Sequence, residues 1–349
     1  MAVSDEIATP ASALASELAG VVDDFRALGG VADNVAQGRW PPGHGLFPTD
    51  PAKPFLLSVP DNLLFRIRDV EFVNDRMRIK PDSGAAPAER DFFERYQAAF
   101  SSGGGGREEW TRLIDMFDSL QPELRNRLVA DFGMKPIVEG ERRDRILRCF
   151  LRSRAIQRRR ENHLAPFFDL MNRGGNGLHA KSGPQGEVQL EGRAEGEILL
   201  AFDHHDSLGI FNAYGIAAPR AHAFSLPLRT KAGPFELVIG RDPTINTQRW
   251  DFPAPQMRVE SGTIHLSYLT VGNASSPRMP RGIFHALMRE ARVGRAEETF
   301  DRILFINRTK FLKLLAELDA GRGELVSRLH RMALFQLASL AECVGAREL

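Results

Sequence analysis

Three short segments, far apart in the chain, hold the side chains that could do chemistry together. The first is Pro42-Gly43-His44-Gly45-Leu46-Phe47. Glycines at 43 and 45 let the backbone approach a ligand closely. The second is Pro166-Phe167-Phe168-Asp169-Leu170-Met171-Asn172-Arg173. The third runs from Gly196-Glu197 through Phe202-Asp203, with Tyr214-Gly215-Ile216 after a short gap. The chain has three tyrosines, and Tyr214 is the one that precedes a glycine at the end of an apolar, helix-like run, Leu208 to Ala213.

Other constellations point to structure. His204-His205-Asp206 offers metal-ligating types, but adjacent side chains diverge and no second pair stands at helical spacing. A polar turn is expected there, and no metal site. Ser101 to Gly106 lacks the Lys-Ser/Thr ending of a phosphate-binding loop and reads as a linker. Nine arginines lie between Arg142 and Arg160. On a helix they spread around the cylinder, with Ile146, Leu147, Phe150 and Leu151 buried, so a solvated, salt-bridged helix is expected. No Gly-x-Ser-x-Gly or His-Glu-x-x-His anchors a hydrolase. No Gly-x-Gly-x-x-Gly opens a helix after a strand, which disfavours a Rossmann enzyme.

The elements that must carry these segments follow from periodicity. Leu14, Leu18, Val21, Val22, Phe25 and Leu28 make an amphipathic helix, closed by Gly29-Gly30. Short strands and turns follow, including Phe55 to Val59. Helical patterns occupy Arg90 to Phe100, Glu108 to Leu120, Gln121 to Phe132 and Gly140 to about Arg160. Strands return at Gly186 to Leu190, Glu197 to Phe202, Phe235 to Ile239 and Thr263 to Leu269. Helices close the chain at Arg281 to Arg292, Ala296 to Leu318 and Gly323 to Val344. The expected class is α+β, with a helical insert inside a region of short strands and a mainly helical C-terminal lobe.

Composition bounds the function. The chain has 349 residues, 43% of them hydrophobic, which supports a sizeable core and roughly two domains. Lys+Arg 46 against Asp+Glu 45 leaves a net charge of +1, so no global field favours nucleic acid. Cys149 and Cys343 are too few for a disulfide framework or a cysteine-rich zinc site. No stretch is long and apolar enough to span a membrane, and the acidic N-terminus is unlike a signal peptide, so a cytoplasmic location is expected.

Taken in order, the segments resemble a SET domain of the Rubisco large-subunit methyltransferase type, a branch that includes actin-histidine methyltransferases. The matching residues are Gly43-His44-Gly45-Leu46 with Val59-Pro60, and Ser153-Arg154-Ala155-Ile156. They continue with Pro166 to Arg173, Gly196-Glu197 through Phe202-Asp203, and Tyr214-Gly215-Ile216. The resemblance covers residues 28 to 228 and implies a SET-like domain over 1–228, with its helical insert at about 84–160. A C-terminal substrate-binding lobe would occupy 229–349. It implies S-adenosylmethionine as methyl donor and a protein or peptide substrate bound between core and lobe. The cofactor-binding residues carried over are Gly43, His44, Gly45, Ser153, Arg154, Asp169, Asn172 and Arg173. Main-chain groups at Gly43 to Gly45 and at Asn172-Arg173 would hold the cofactor, and Arg154 would face its carboxylate. Asn172 would bond its amino group or shape the crossing of chain segments. Tyr214 would be the catalytic tyrosine.

The sequence departs from the family pattern at three places. Asn-His is Asn172-Arg173, the second Glu of Gly-Glu-Glu is Ile198, and the Tyr-Gly at the strand end is Phe202-Asp203. These departures define an alternative, a catalytically inactive SET-like protein whose helical lobe binds a peptide or protein partner. A third reading is a methyltransferase for a small molecule or a ribosomally made peptide.

Overall fold

The strand Phe55–Val59 organises the first half of the molecule. Its run Phe-Leu-Leu-Ser-Val is almost wholly buried, as suits a strand paired on both edges. Val31–Asp33 pairs with one edge and Val188–Gly192 with the other, both antiparallel. Lys181–Ser182 extends the sheet beyond Val188–Gly192. The computed structural model describes residues 12–40, 43–74, 76–101, 106–158, 161–202, 205–241, 255–319 and 321–341. His204, Asp203, Cys343 and most of the Ser101–Gly106 run lie outside the described residues.

The secondary structure is α+β throughout: short strands, a helical stretch from Pro87 to Arg154, more short strands, then long helices. The chain packs as two units. One comprises Met1–Glu109 with Phe150–Asp203, the other Trp110–Cys149 with His204–Leu349.

In the first unit, the helix Ser12–Ala27 turns a buried face inward through Val21 and Phe25. It closes where Gly30 N–H donates to the Phe25 carbonyl at 2.9 Å. Gly30 is required there, because a Cβ would lie 2.4 Å from the Phe25 ring. Two hairpins, Ala36–Trp40 with Gly43–Phe47 and Val70–Val73 with Arg76–Ile79, add short antiparallel layers. The helix Pro87–Tyr96 has proline at its start, where the missing N–H costs nothing. The Glu89 carboxylate accepts the Ala86 N–H at 2.7 Å. It runs on into a wider π-type turn, Gln97–Ser101.

The expected helix to Arg160 ends earlier. Arg142–Arg154 is helical, and Ile156–Arg158 then pairs with Glu161–Leu164 as a hairpin. The apolar pair Ala155-Ile156 is buried, which pulls the chain out of the helix although the arginine run continues. The strand expected over Glu197–Phe202 is also shorter. Only Leu200–Ala201 forms a ladder, parallel to Arg173–Gly174, with an isolated bridge from Ile198 to Leu46.

In the second unit, Leu228–Ala232, Phe235–Ile239, Thr263–Leu266 and Met257–Glu260 form a four-stranded sheet whose central pair is parallel. The helices Met279–Glu290, Ala296–Asp319 and Glu324–Ala341 complete it. The arginine-rich helix is only partly solvated. Arg142 grips Asp115 with two bonds of 2.6 and 2.8 Å. Arg145 is buried and grips Asp118 at 2.8 and 2.5 Å, with further bonds to the Ile137 and Val138 carbonyls. These guanidiniums brace neighbouring helices in the fork geometry that arginine offers.

Candidate functional site

In the first unit the three motif segments converge. Ile198 N–H donates to the Leu46 carbonyl at 2.7 Å, which ties the third segment to the glycine-rich strand. Leu200 N–H donates to the Asn172 carbonyl at 2.9 Å, which ties it to the second. Leu178 N–H then donates to Leu199, and Ala201 N–H to Leu178, at 2.8 and 2.9 Å. The two segments lie so close that a Cβ on Gly177 would sit 2.3 Å from the Leu200 carbonyl carbon. Gly177 was not among the residues expected from sequence; nothing local distinguishes it from the other glycines of its loop.

Glu197 is the hinge of this meeting. Its carboxylate lies over Gly45, where a Cβ would meet Oε1 at 2.2 Å. Asn172 Nδ2 donates to the same oxygen at 2.6 Å. Partial burial raises the Glu197 pKa, and the Asn172 bond opposes that rise. The Gly45 position therefore needs glycine for close approach. Gly43 and His44 contribute backbone to the same strand, paired with Trp40 and Arg39.

Arg154 ends the helix Arg142–Arg154. Its guanidinium stacks over the Phe150 ring at 4.5 Å and donates from Nη1 to the Asp169 carbonyl at 2.9 Å. Desolvation lowers its pKa from the usual arginine value, while the neighbouring Asp169 carboxylate opposes that. The group remains a cation. Its other N–H donors have no protein partner among the described residues. A part-buried guanidinium with unspent donors suits an incoming carboxylate.

Asp169 is buried, and its side chain serves the fold. It accepts from the Tyr96 hydroxyl and from Gln97 Nε2, the latter at 2.9 Å. Tyr96 in turn accepts the Phe167 N–H at 2.7 Å. Burial, then the charge of Asp169, pushes the Tyr96 phenol well above its ordinary pKa, so it stays a donor. This network holds Phe167 at a φ of 69°, a left-handed backbone that side-chain-bearing residues rarely adopt. The turn Phe168–Leu170 is thereby packed on the strand Gly43–Phe47. Ser153 donates its hydroxyl back to the Phe150 carbonyl at 2.8 Å, a bond within its own helix.

Arg173 stands where the motif that this segment resembles has histidine. Its guanidinium donates to the Ala201 carbonyl at 2.9 Å and the Ala155 carbonyl at 3.1 Å. It therefore joins the end of the arginine-rich helix to the Leu200–Ala201 strand. An imidazole could not span both carbonyls, so the substitution has a bracing role of its own.

Tyr214 belongs to the second unit. It is the last residue of the helix Ser207–Tyr214, which Gly215 closes at a φ of 70°. Its ring meets His205 edge-on, with centroids 6.0 Å apart. The other two tyrosines are committed to the core. Tyr96 holds the network above, and Tyr268 is buried edge-on to Phe224, its phenol pushed up to about 12 by burial. Tyr214 is the one tyrosine left partly exposed.

The helix bearing Tyr214 is fixed by Asp206, which the sequence suggested only as part of a polar turn. Asp206 is fully buried and caps the helix by accepting the Gly209 N–H at 2.8 Å. It also accepts the Phe224 N–H at 2.9 Å, Gln336 Nε2 at 2.7 Å, and a charge-assisted bond from Arg241. Burial alone would raise its pKa. Arg241 and the three other bonds outweigh that and hold it below the usual carboxylate range. An aspartate directly before an apolar helical run was the available signal. Among the described residues no group of acidic, His and Cys side chains could hold a metal ion.

No protein-family model matches the chain, and no curated protein matches it. Solved structures that align with most of its length include the following three. The SET domain of LSMT bound to lysine and AdoHcy is 14% identical, covers 95% of this chain and 90% of its own, and gives a TM-score of 0.42. Rubisco LSMT bound to AdoMet is 13% identical over 96% and 91%, with a TM-score of 0.42. Rubisco LSMT bound to sinefungin and monomethyllysine is 12% identical over 93% and 90%, with a TM-score of 0.40.

Proposed function

We propose that this protein is an S-adenosylmethionine-dependent N-methyltransferase of the SET type, acting on a lysine or histidine side chain of a protein or peptide. The observation that carries the reading is Arg154. Its guanidinium is part-buried, held by Phe150 and the Asp169 carbonyl, and keeps donors to spare. In the same unit Asn172 bonds the Glu197 carboxylate that lies over Gly45, and the motif resemblance assigns Gly45 and Asn172 to the cofactor.

In this reading Arg154 holds the cofactor carboxylate. Backbone groups of Gly43–Gly45 and of Asn172-Arg173 line its remaining length. Glu197 and Asn172 keep those two backbones in register. Ser153 and Asp169 act one step back: Asp169 fixes the turn whose carbonyl orients Arg154, and Ser153 completes the helix end. When bound, the cofactor supplies an electrophilic methyl group on a sulfonium.

The protein's remaining task is positioning and proton management. A lysine with a pKa of about 10.4 costs roughly 4–5 kcal/mol to present as a neutral amine at pH 7. The Tyr214 hydroxyl would orient that amine. The neutral amine would accept the methyl group that the cofactor supplies, and the proton it then sheds would pass to solvent. Tyr214→Phe should reduce labelled-methyl transfer at least about a hundredfold, the scale of losing one acid–base or orienting hydroxyl. Circular dichroism and Tm should be unchanged. Wild-type turnover in that variant would reject the assigned role.

A further inference from the structure

The helices Ala296–Asp319 and Glu324–Ala341 pack against each other, and their inner faces are core. Their outer side is not closed. Phe305 is 69% exposed, Leu312 48% and Leu334 45%. Phe305 and Leu312 stand two helical turns apart and share a face. The bond between His330 Nε2 and Asp319 Oδ1, 3.1 Å, marks the seam where the two helices meet. Leu312 lies two turns back from Asp319, and Leu334 one turn on from His330, so both flank that seam.

Cations interleave with these apolar side chains. Arg308, Lys313 and Arg331 are exposed and make no ion pair or side-chain hydrogen bond among the described residues. The nearby acids are already taken: Asp301 by Arg281, Glu317 by Arg127, Asp319 by His330. The surface thus combines unpartnered apolar anchors with unspent positive charge.

We propose that this face docks an acidic amphipathic segment of a partner protein. Its apolar side chains would cover Phe305, Leu312 and Leu334, and its carboxylates would meet Arg308, Lys313 and Arg331. A second copy of this chain fits less well, because a two-fold contact would set the same cations against one another. The inference is independent of the transfer reaction.

The test uses the full chain and a labelled amphipathic peptide with a leucine stripe flanked by glutamates, beside a counterpart with lysine for every glutamate. Saturable binding of the glutamate peptide is expected by fluorescence anisotropy. It should weaken about tenfold or more in Phe305→Ser and in the double variant Arg308→Glu/Lys313→Glu, as for loss of an anchor. All substitutions are at exposed positions, and Tm of each variant checks the fold. No saturable binding of the glutamate peptide, equal binding of the lysine peptide, or unchanged affinity in both variants overturns the proposal. Self-association that Phe305→Ser abolishes, or Phe305-dependent sedimentation with phosphatidylserine vesicles, also overturns it.

Discussion

Gly45 and Gly177 show two kinds of crowding, and they should respond differently to a methyl group. At Gly45 the obstacle is the tip of Glu197, a flexible side chain. Gly45→Ala should displace that carboxylate from Asn172 and cost about 1–2 kcal/mol, the scale of one hydrogen bond to a charged acceptor. In a Glu197→Ala background the same change should cost almost nothing, a coupling that a double-mutant cycle reads directly. At Gly177 the obstacle is the backbone of Leu200, which cannot swing aside. Gly177→Ala should cost roughly 1–3 kcal/mol or more, with no rescue from Glu197→Ala. Rescue by Glu197→Ala at both positions or at neither, measured by denaturant unfolding, would contradict this geometry. Gly45 was legible in the sequence because its motif is local. Gly177 was not, because its constraint comes from a strand more than twenty residues away. The partners of Asp169 are still more remote: Tyr96 is 73 positions away, and no spacing rule links them.

Elements were legible where one pattern decided them. The strands Phe55–Val59 and Phe235–Ile239 and the helix Ala296–Asp319 follow from apolar runs and 3.6-residue periodicity. The arginine-rich helix was read too long because its charge pattern continues past the point where Ala155-Ile156 must be buried. The helix Ser207–Tyr214 depends on a residue whose importance is tertiary. Asp206 joins that helix to Phe224, Arg241 and Gln336, so Asp206→Ala should destabilise by roughly 3–5 kcal/mol, leaving Arg241 half-buried and unpaired. The effect has a defined pH dependence. The folded pKa of Asp206 is depressed, so its contribution is complete above the unfolded value of about 3.9 and is lost as pH falls through the folded one. The stability difference between wild type and Asp206→Asn should hold from pH 7 to about 5 and narrow on further acidification below about 4. A difference that widens in acid would be the wrong sign.

Across the whole molecule, near-neutral charge hides a consistent use of arginine. Arg145, Arg173 and Arg241 tie distant segments together, while Arg154 bonds one carbonyl beside the gathered motifs and keeps donors to spare. The motif resemblance had set Arg154 apart in the sequence, where the rest of the arginine run read as a solvated face. The fold class and the order of elements were legible; the division of labour among the arginines needed the structure. The central claim is cofactor binding through Arg154, and calorimetric titration with S-adenosylmethionine tests it most directly. Saturable binding by the wild type, weakened at least about tenfold in Arg154→Ala while the fold survives, is the expected result; a carboxylate–guanidinium bond of more than about 1.4 kcal/mol requires it. A folded wild-type protein that binds no S-adenosylmethionine, or binding indifferent to Arg154, would contradict the account.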